Sequence, residues 1–485
     1  MSVYNDKETA LDMATNDLIV AIELGSSKIA GAVGRKRPDG SLQVVAYASE
    51  PASGFVRRGV VYNIDKTAQC LTDLVNRLEP ELNNATIEQA YVGVGGYTLH
   101  SELNTVARSF EEETRVSDNI VTGMEEENAA KEYPGHNILV MVSQEYKIGN
   151  NLLNDPVGVN CTRIEGNYLN ILARTSVMDN TGKSFELAKV NIANDSIAPL
   201  VAADVLLTDN ERRQGCVLVD FGADTTTVSV YKGGYLRFLT VIPMGGQNIT
   251  RDLCSLQLDE QEAERIKRNY GLVFPASADE TVQVDASRFI EVRKVHDVIE
   301  ARFEEIMLNV CHQIEASGYE LKNLLAGVVF CGGGINLKGI EGVLTQKFQS
   351  TKIRLAHDTA VQVDWDTATH PENGTQGVLV GLLMAGEETC FQEVQMEIQP
   401  EDYKDAVTGN LFNDEGESAQ EERDRKRMEE LQRKREEAAK RAQERKEKQK
   451  GFLSGIMKKI KSVGEKFEEG IGEFLSDEDK DDNNK

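Results

Sequence analysis

Cys216-Val-Leu-Val-Asp220-Phe-Gly222-Ala-Asp-Thr-Thr-Thr-Val-Ser-Val-Tyr231 decides how this chain is read. A run of β-formers reaches Asp220. A turn rich in glycine and hydroxyls follows, and a second alternating β-run leaves it before Gly233-Gly234, which reads as strand, hairpin turn, strand. Backbone N–H groups in such a turn approach an anion with no side chain in the way. Asp220, just before the turn, is placed to hold a magnesium ion through water.

The same grammar occurs near the start, in Leu18-Ile-Val-Ala-Ile-Glu23-Leu-Gly25-Ser-Ser-Lys28-Ile-Ala-Gly-Ala-Val33. In both copies the acid stands two positions before the glycine, and Lys28 adds a charge that attracts phosphate. A single hairpin of this kind is by default a plain turn. Two copies, each the first hairpin of its half-chain, predict two similar lobes with facing phosphate loops and a nucleotide between them. A third glycine turn, Gly332-Gly333-Gly334, follows the apolar strand Val328–Cys331 and precedes a helical stretch. There a base or phosphate can lie against bare backbone. Glu264 and Lys267 stand three apart on a helix over 261–267. That spacing fits a solvated face, or a reach toward a ribose or purine.

At 485 residues the chain exceeds one domain of about 150 residues. Its 40% hydrophobic content suffices for sizeable cores, and a net charge of −26 excludes a nucleic-acid binder, which needs a basic face. Seven scattered cysteines without a CxxC fit a reducing cytoplasm and no structural zinc. The start has no signal-peptide pattern, and no run of about 18 apolar residues is present to span a bilayer.

In order, residues 1–16 read as a disordered N-terminus and 17–85 as the first part of one lobe, with a strand over 42–47 and a helix over 66–78. Residues 86–170 contain neither hairpin and read as an inserted small α/β domain, in which Gly93, Gly95 and Gly96 form an ordinary turn. The first lobe resumes over 171–208, with a helix running into a strand over 185–192. A second helix over 195–208 carries Pro199 in its first turn. The second lobe takes 209–248, a small subdomain of helix and β-element 249–307, and the remainder 308–369, with a long amphipathic helix over 298–316. Residues 370–386 read as a helix closing the first lobe.

The last hundred residues change character. Residues 387–450, acidic and then densely charged, cannot bury a core and read as a tether. Residues 451–475 are amphipathic. At about 100° per residue, Phe452, Leu453, Ile456, Met457, Ile460, Val463, Phe467, Ile471, Phe474 and Leu475 fall within an arc of about 140°. Packing back on the protein's own core is the plain alternative, but a long polar tether favours a helix lying in a membrane surface. Lys458, Lys459 and Lys461 would then meet anionic headgroups, and the acidic 476–485 would trail in water.

The two hairpins and the glycine turn, in this order and spacing, resemble the actin–Hsp70–sugar kinase superfamily. Within it the chain resembles the FtsA family of bacterial cell-division proteins, from about Asp17 to Gly386; Glu23 and the inserted block are similar to the family pattern. The resemblance implies an α/β fold of two actin-like, RNase H-like lobes, each with a five-stranded mixed sheet, plus the insertion, tether and terminal helix. It implies ATP in the cleft. Gly25, Ser26, Ser27 and Lys28 would form one phosphate loop, and Gly222, Ala223, Asp224, Thr225 and Thr226 the other. Glu23 and Asp220 would face Mg2+, Glu264 and Lys267 the adenosine side, and Gly332, Gly333 and Gly334 the adenine.

Two departures matter. Ala223 and Asp224 replace glycines of the family's second loop, and Asp224 is expected to weaken triphosphate binding by its charge. Ala198-Pro199 stands where relatives carry a water-orienting Gln or Glu, so hydrolysis is expected to be slow, with Asp195 a candidate substitute. The resemblance also implies self-association into actin-like filaments, docking of the FtsZ C-terminal peptide on 249–307, and recruitment of later division proteins. It places the protein on the cytoplasmic face of the inner membrane at the division site. A small-molecule kinase, an Hsp70-type chaperone and a pilus-assembly actin homologue are the alternatives.

Overall fold

The structure, a computed structural model, describes residues 17–391 except 83–84, 275–276, 278–279, 286 and 350. It opens with a meander of β1 (Ile19–Leu24), β2 (Lys28–Lys36) and β3 (Leu42–Pro51). A ribbon of β4 (Val56–Arg57) and β5 (Val60–Val61) leads to α1 (Ile64–Leu78), which starts where the Asn63 side chain accepts the Lys66 N–H at 3.0 Å. β6 (Gln89–Val94) follows. The insertion comprises β7 (His100–Arg115), α2 (Asp118–Ala129), β8 (His136–Ile148), β9 (Asn151–Leu153) and β10 (Asn160–Arg174). The chain then returns through α3 (Thr175–Ala188), β11 (Asn191–Ile197) and α4 (Ala198–Leu206).

The second half begins with α5 (Asp209–Gln214), β12 (Cys216–Phe221), β13 (Thr226–Lys232) and β14 (Tyr235–Ile242). Next come α6 (Gly246–Leu253), α7 (Glu260–Tyr270), β15 (Thr281–Gln283), β16 (Phe289–Glu291) and α8 (Val292–Ala316). β17 (Gly327–Cys331), α9 (Ile340–Lys347) and β18 (Ile353–Leu355) complete the lobe. β19 (Val363–Trp365) and α10 (Gly377–Ala385) come last.

The duplication is visible in strand order. One sheet runs β11-β6-β1-β2-β3-β19, and the other begins β18-β17-β12-β13-β14. In each, the first strand pairs antiparallel with the second and parallel with the fourth. Six consecutive residues of β2 are buried, as in a strand covered on both faces. β12 shows how that works: Cys216 and Leu218 join the core shared with the first lobe, while Val217, Val219 and Phe221 join the core under α8. The two-residue period sends alternate side chains to opposite faces. On α8, Ile299, Phe303, Ile306 and Val310 form the covering stripe.

Several boundaries differ from the sequence reading. β6 pairs with β1, Ala21 opposite Tyr91, so residues 89–94 belong to the first lobe's sheet and not to the insertion expected from 86. The insertion's sheet joins the second lobe's through one residue pair, Thr240 with His100. β19, expected in the second lobe, pairs with β3 as a sixth strand of the first sheet. Asp195 lies on β11 opposite Val92, and the helix starts after it. The helix expected over 370–386 begins only at Gly377, because Gly374 has φ +78°, a backbone state foreign to a helix. Residues 387–391, read as tether, are tied to the first lobe: the Cys390 carbonyl accepts the Glu88 N–H at 3.0 Å, and Phe391 bridges Ile87. The N-terminal 1–16, the tether beyond 391 and the helix 451–475 lie outside the described residues.

α10 crosses α4 so closely that a Cβ on Gly381 would lie 2.2 Å from the Val201 carbonyl oxygen. Gly381→Ala is therefore expected to cost about 1–3 kcal/mol. The urea midpoint should fall with the slope unchanged.

Candidate functional site

Between the lobes lies a cleft of about 740 Å³ whose floor carries the ends of β1 and β12. The two turns leaving those strands match residue for residue. Glu23 pairs with Ala30 across its hairpin, and Asp220 with Thr227 across the other. A Cβ on Gly25 would stand 2.6 Å from the Lys28 carbonyl oxygen, and one on Gly222 2.9 Å from that of Thr225. Both glycines are thus required by the same four-residue closure.

The carbonyls of the second turn are consumed by the start of α6. Gly246 N–H donates to Gly222 O at 3.0 Å and Gln247 N–H to Ala223 O at 2.8 Å. The N–H groups of Ala223, Asp224 and Thr225, and of Ser26 and Ser27 in the first turn, have no protein acceptor among the described residues. The turns therefore offer donors, which suits anionic oxygens.

Glu23 and Asp220 make no hydrogen bond or ion pair among the described residues. Burial, then the nearby Asp220 charge, push the Glu23 carboxyl up to about 7, with Lys28 pulling the other way. Burial pushes Asp220 up to about 6. Part of each carboxylate still faces the cleft, which softens the penalty. Two such carboxylates beside unpaired N–H donors fit a divalent cation with a phosphate chain.

On the second-lobe wall, Lys267 is buried and donates to Glu264 Oε2 at 2.6 Å, Thr250 Oγ1 at 2.9 Å and Gly246 O at 3.1 Å. Burial would raise the Glu264 carboxyl, but Lys267, Thr250 and Arg268 together hold it at about 2. Lys267 itself is lowered, by burial against the pull of Glu264. The pair lines the cleft and is not a solvated face.

The triple glycine serves close packing. Gly332 has φ +85°, and a Cβ there would stand 2.3 Å from Asp220 Oδ1; one on Gly334 would strike the Phe221 ring at 2.1 Å. Gly333 alone is exposed toward the cleft without such a neighbour. The turn continues as a short 3-10 segment, Gly333–Asn336, and α9 starts only at Ile340.

Some expected residues face elsewhere. Asp224 is absent from the cleft lining. Its carboxylate accepts the Arg58 N–H at 3.1 Å and pairs with Arg251 at 3.3 Å, so its charge is spent between lobes and not beside a phosphate. The neighbouring Gly59 N–H donates to Ser26 Oγ at 2.7 Å, so the β4–β5 tip bridges both turns. Thr226 points away, its hydroxyl donating to Met244 O at 2.8 Å, while Thr225 and Thr227 line the cleft by strand alternation. Asp195 is exposed on β11 and does not line the cleft, whereas Ala198 and Pro199 do.

The sequence reading missed Gln247, Arg268, Asn336 and Thr375 on the cleft wall, and Gly93, Gly95 and Gly96 border it as well. Only Arg268 carried a signal, standing four residues after Glu264, which it meets at 2.9 Å.

A sequence model described as cell division protein FtsA matches residues 217–372. The chain is 33% identical over 332 residues to the cell division protein FtsA of Porphyromonas gingivalis, covering 66% of this chain and 69% of the relative. The chain belongs to the FtsA family. Against the FtsA of Pseudomonas aeruginosa it is 27% identical over 397 residues, covering 80% of this chain and 93% of the relative. Among solved structures, the fold resembles the PilM–PilN type IV pilus biogenesis complex, with a TM-score of 0.54 and 17% identity over 76% of this chain and 98% of that one. That likeness concerns the actin-like fold. The match to FtsA sequences selects the family. Among the described residues of this FtsA-family chain, no helix is long and apolar enough to cross a membrane.

The raised carboxyls set a pH dependence. A carboxyl raised in the folded state contributes stability below its unfolded value, and this is lost as pH rises through its folded value. Metal-free protein should thus lose stability between about pH 4 and 7 from this pair, with Mg2+ and nucleotide restoring it above pH 7. Glu23→Gln should raise the metal-free stability at pH 8 by about 1–2 kcal/mol. It should also abolish the Mg2+-dependent gain in Tm measured by calorimetry. Asp224→Ala should lower Tm, costing about 1–2 kcal/mol from the Arg58 and Arg251 contacts, while leaving ATP affinity near wild type by fluorescent-nucleotide titration.

Proposed function

We propose that this FtsA-family chain binds ATP and Mg2+ between its lobes and assembles with copies of itself. It would hold the tubulin-like division protein FtsZ against the cytoplasmic face of the inner membrane at the division site, where later division proteins join. The observation that carries the nucleotide reading is the cleft itself, in which equivalent turns from two lobes of one strand order meet above Glu23 and Asp220.

Bound ATP would supply the phosphate charge that these groups neutralise. Gly25 and Gly222 let the backbone approach, the N–H groups of Ser26, Ser27, Ala223 and Thr225 face phosphate oxygens, and Lys28 adds its charge. Glu23 and Asp220 hold Mg2+ through water. Lys267 and Glu264, fixed by Thr250, address the ribose side, and the bare Gly333 backbone the adenine. α4 opens on Ala198-Pro199, which carry no group to orient an attacking water, so turnover is slow.

The small subdomain at 249–307 exposes Val273, Phe274 and Phe289, large apolar side chains of the kind that mark protein contacts, and it is assigned to the FtsZ peptide. The amphipathic segment 451–475 is assigned to lipid. Co-sedimentation with anionic liposomes tests that assignment. The full chain should pellet with the vesicles, more so with ATP, and a chain ending at Lys450 should remain in solution. Equal pelleting of the two would remove the membrane-anchor reading while leaving the cleft untouched.

A further inference from the structure

α8 carries, in its first three turns, three groups that the cleft does not use. His296 is 5% exposed, yet its Nδ1 has no hydrogen-bond partner among the described residues. That nitrogen points at two carboxylates, Asp297 at 3.9 Å and Glu300 at 3.7 Å. Both distances are too long for a hydrogen bond. The three ligand atoms lie within 4.8 Å of one another. Helical spacing puts His296 and Glu300 on one face, with Asp297 flanking them. Buried Val295 and Ile299 fix the helix here, and the Phe274 ring packs edge-on against the imidazole at 5.0 Å between centroids. Both carboxylates reach water, so an ion has a way in. A buried nitrogen between two carboxylates, bonded to neither, has a spacing on which a cation can be held.

We propose that His296 Nδ1, Asp297 and Glu300 form a binding site for a divalent first-row transition ion, with zinc the best match. Bond lengths of about 2.0–2.2 Å to nitrogen and oxygen put tetrahedral ligands roughly 3.4 Å apart. The two nitrogen–oxygen separations, 3.9 and 3.7 Å, lie a few tenths of an ångström above that, and the two exposed carboxylates, within 4.8 Å of each other, close on the ion by side-chain rotation. One imidazole with two carboxylates suits Zn2+, whereas Mg2+ prefers all-oxygen sites and keeps its waters. Three ligands from a single helix leave a coordination position open to water. The site is separate from the nucleotide cleft and uses no cysteine.

The test uses the full chain, stripped of metal with a chelator, and titrated with Zn2+ against a chromophoric competitor and with Co2+ followed by visible absorption. Wild type should take up one equivalent and show the d–d bands of low-coordinate Co2+. Glu300→Gln and Asp297→Asn change exposed side chains and preserve the fold. Each should weaken Zn2+ binding by at least about tenfold, the loss that even an outer-shell partner causes. His296→Gln should abolish the bands, and ATP affinity should be unchanged in Glu300→Gln. Unchanged Zn2+ affinity in the two carboxylate variants would overturn the proposal. So would the absence of Zn2+ uptake by wild type, or a Co2+ spectrum dominated by sulfur-to-metal charge transfer, which would place the ion on a cysteine.

Discussion

Two carboxylates with no hydrogen-bond or ion-pair partner among the described residues, set at the floor of one cleft, are what the rest of the molecule accommodates. Glu23 and Asp220 both sit at the end of a first strand, both lifted above the ordinary carboxylate range by burial. Like charges in such a place repel each other and are poorly solvated. The fold concentrates positive character around them. The Gly222 and Ala223 carbonyls of the second turn are drawn off into α6, the N–H groups of Ser26, Ser27, Ala223, Asp224 and Thr225 keep no protein acceptor among the described residues, and Lys28 lies close enough to act on Glu23. This arrangement exists only because two sheets of the same strand order place equivalent strand ends opposite each other.

The lobes are also coupled without any ligand. The β4–β5 tip gives the Arg58 N–H to Asp224 of the second turn and the Gly59 N–H to Ser26 of the first. The tip is held tightly: Gly59 has φ +71°, and a Cβ there would stand 2.8 Å from Gly96 Cα. Hence Asp224, which looks like a liability when read beside a phosphate, is a contact between lobes. Its charge is met by an N–H and by Arg251.

The sequence carried the parts of this that depend on local chemistry. Acid, glycine and hydroxyl spacing marked both turns, and uninterrupted β-formers marked β1 and β12, because strands buried on both faces leave that trace. Where side chains point across the molecule left no such trace. Asp224 and Thr225 are neighbours in a polar turn, and only the position of Arg58, 166 residues away, decides that one faces outward. Strand alternation could have predicted that Thr225 and Thr227 share a face and Thr226 does not. A turn with no fixed length obscured the count. The helix expected from 370 failed at Gly374, whose positive φ is set by packing against Ile335 and by the Gly332 N–H donating to its carbonyl at 2.9 Å. β6 was misplaced because parallel pairing with β1 is non-local and has no hairpin to announce it.

The insertion shows how a covalent neighbour and a structural neighbour can differ. It leaves and re-enters the first lobe, yet its sheet continues the second lobe's from β14 into β7. The join is a single residue pair, supported by the Leu239 N–H to Ser101 Oγ at 2.8 Å, Gln144 Nε2 to Leu236 O at 3.1 Å, and the Arg237–Glu145 ion pair. That pair is substantially buried, which makes loss of one partner costlier than loss of both. A rotation of one lobe against the other would load the hairpin tip between the turns and this strand junction together, beside the core that the lobes share. Both use few hydrogen bonds. Each such contact is worth about 0.5–1.5 kcal/mol, which is the scale of preference that a ligand favouring one lobe arrangement would need to strain them.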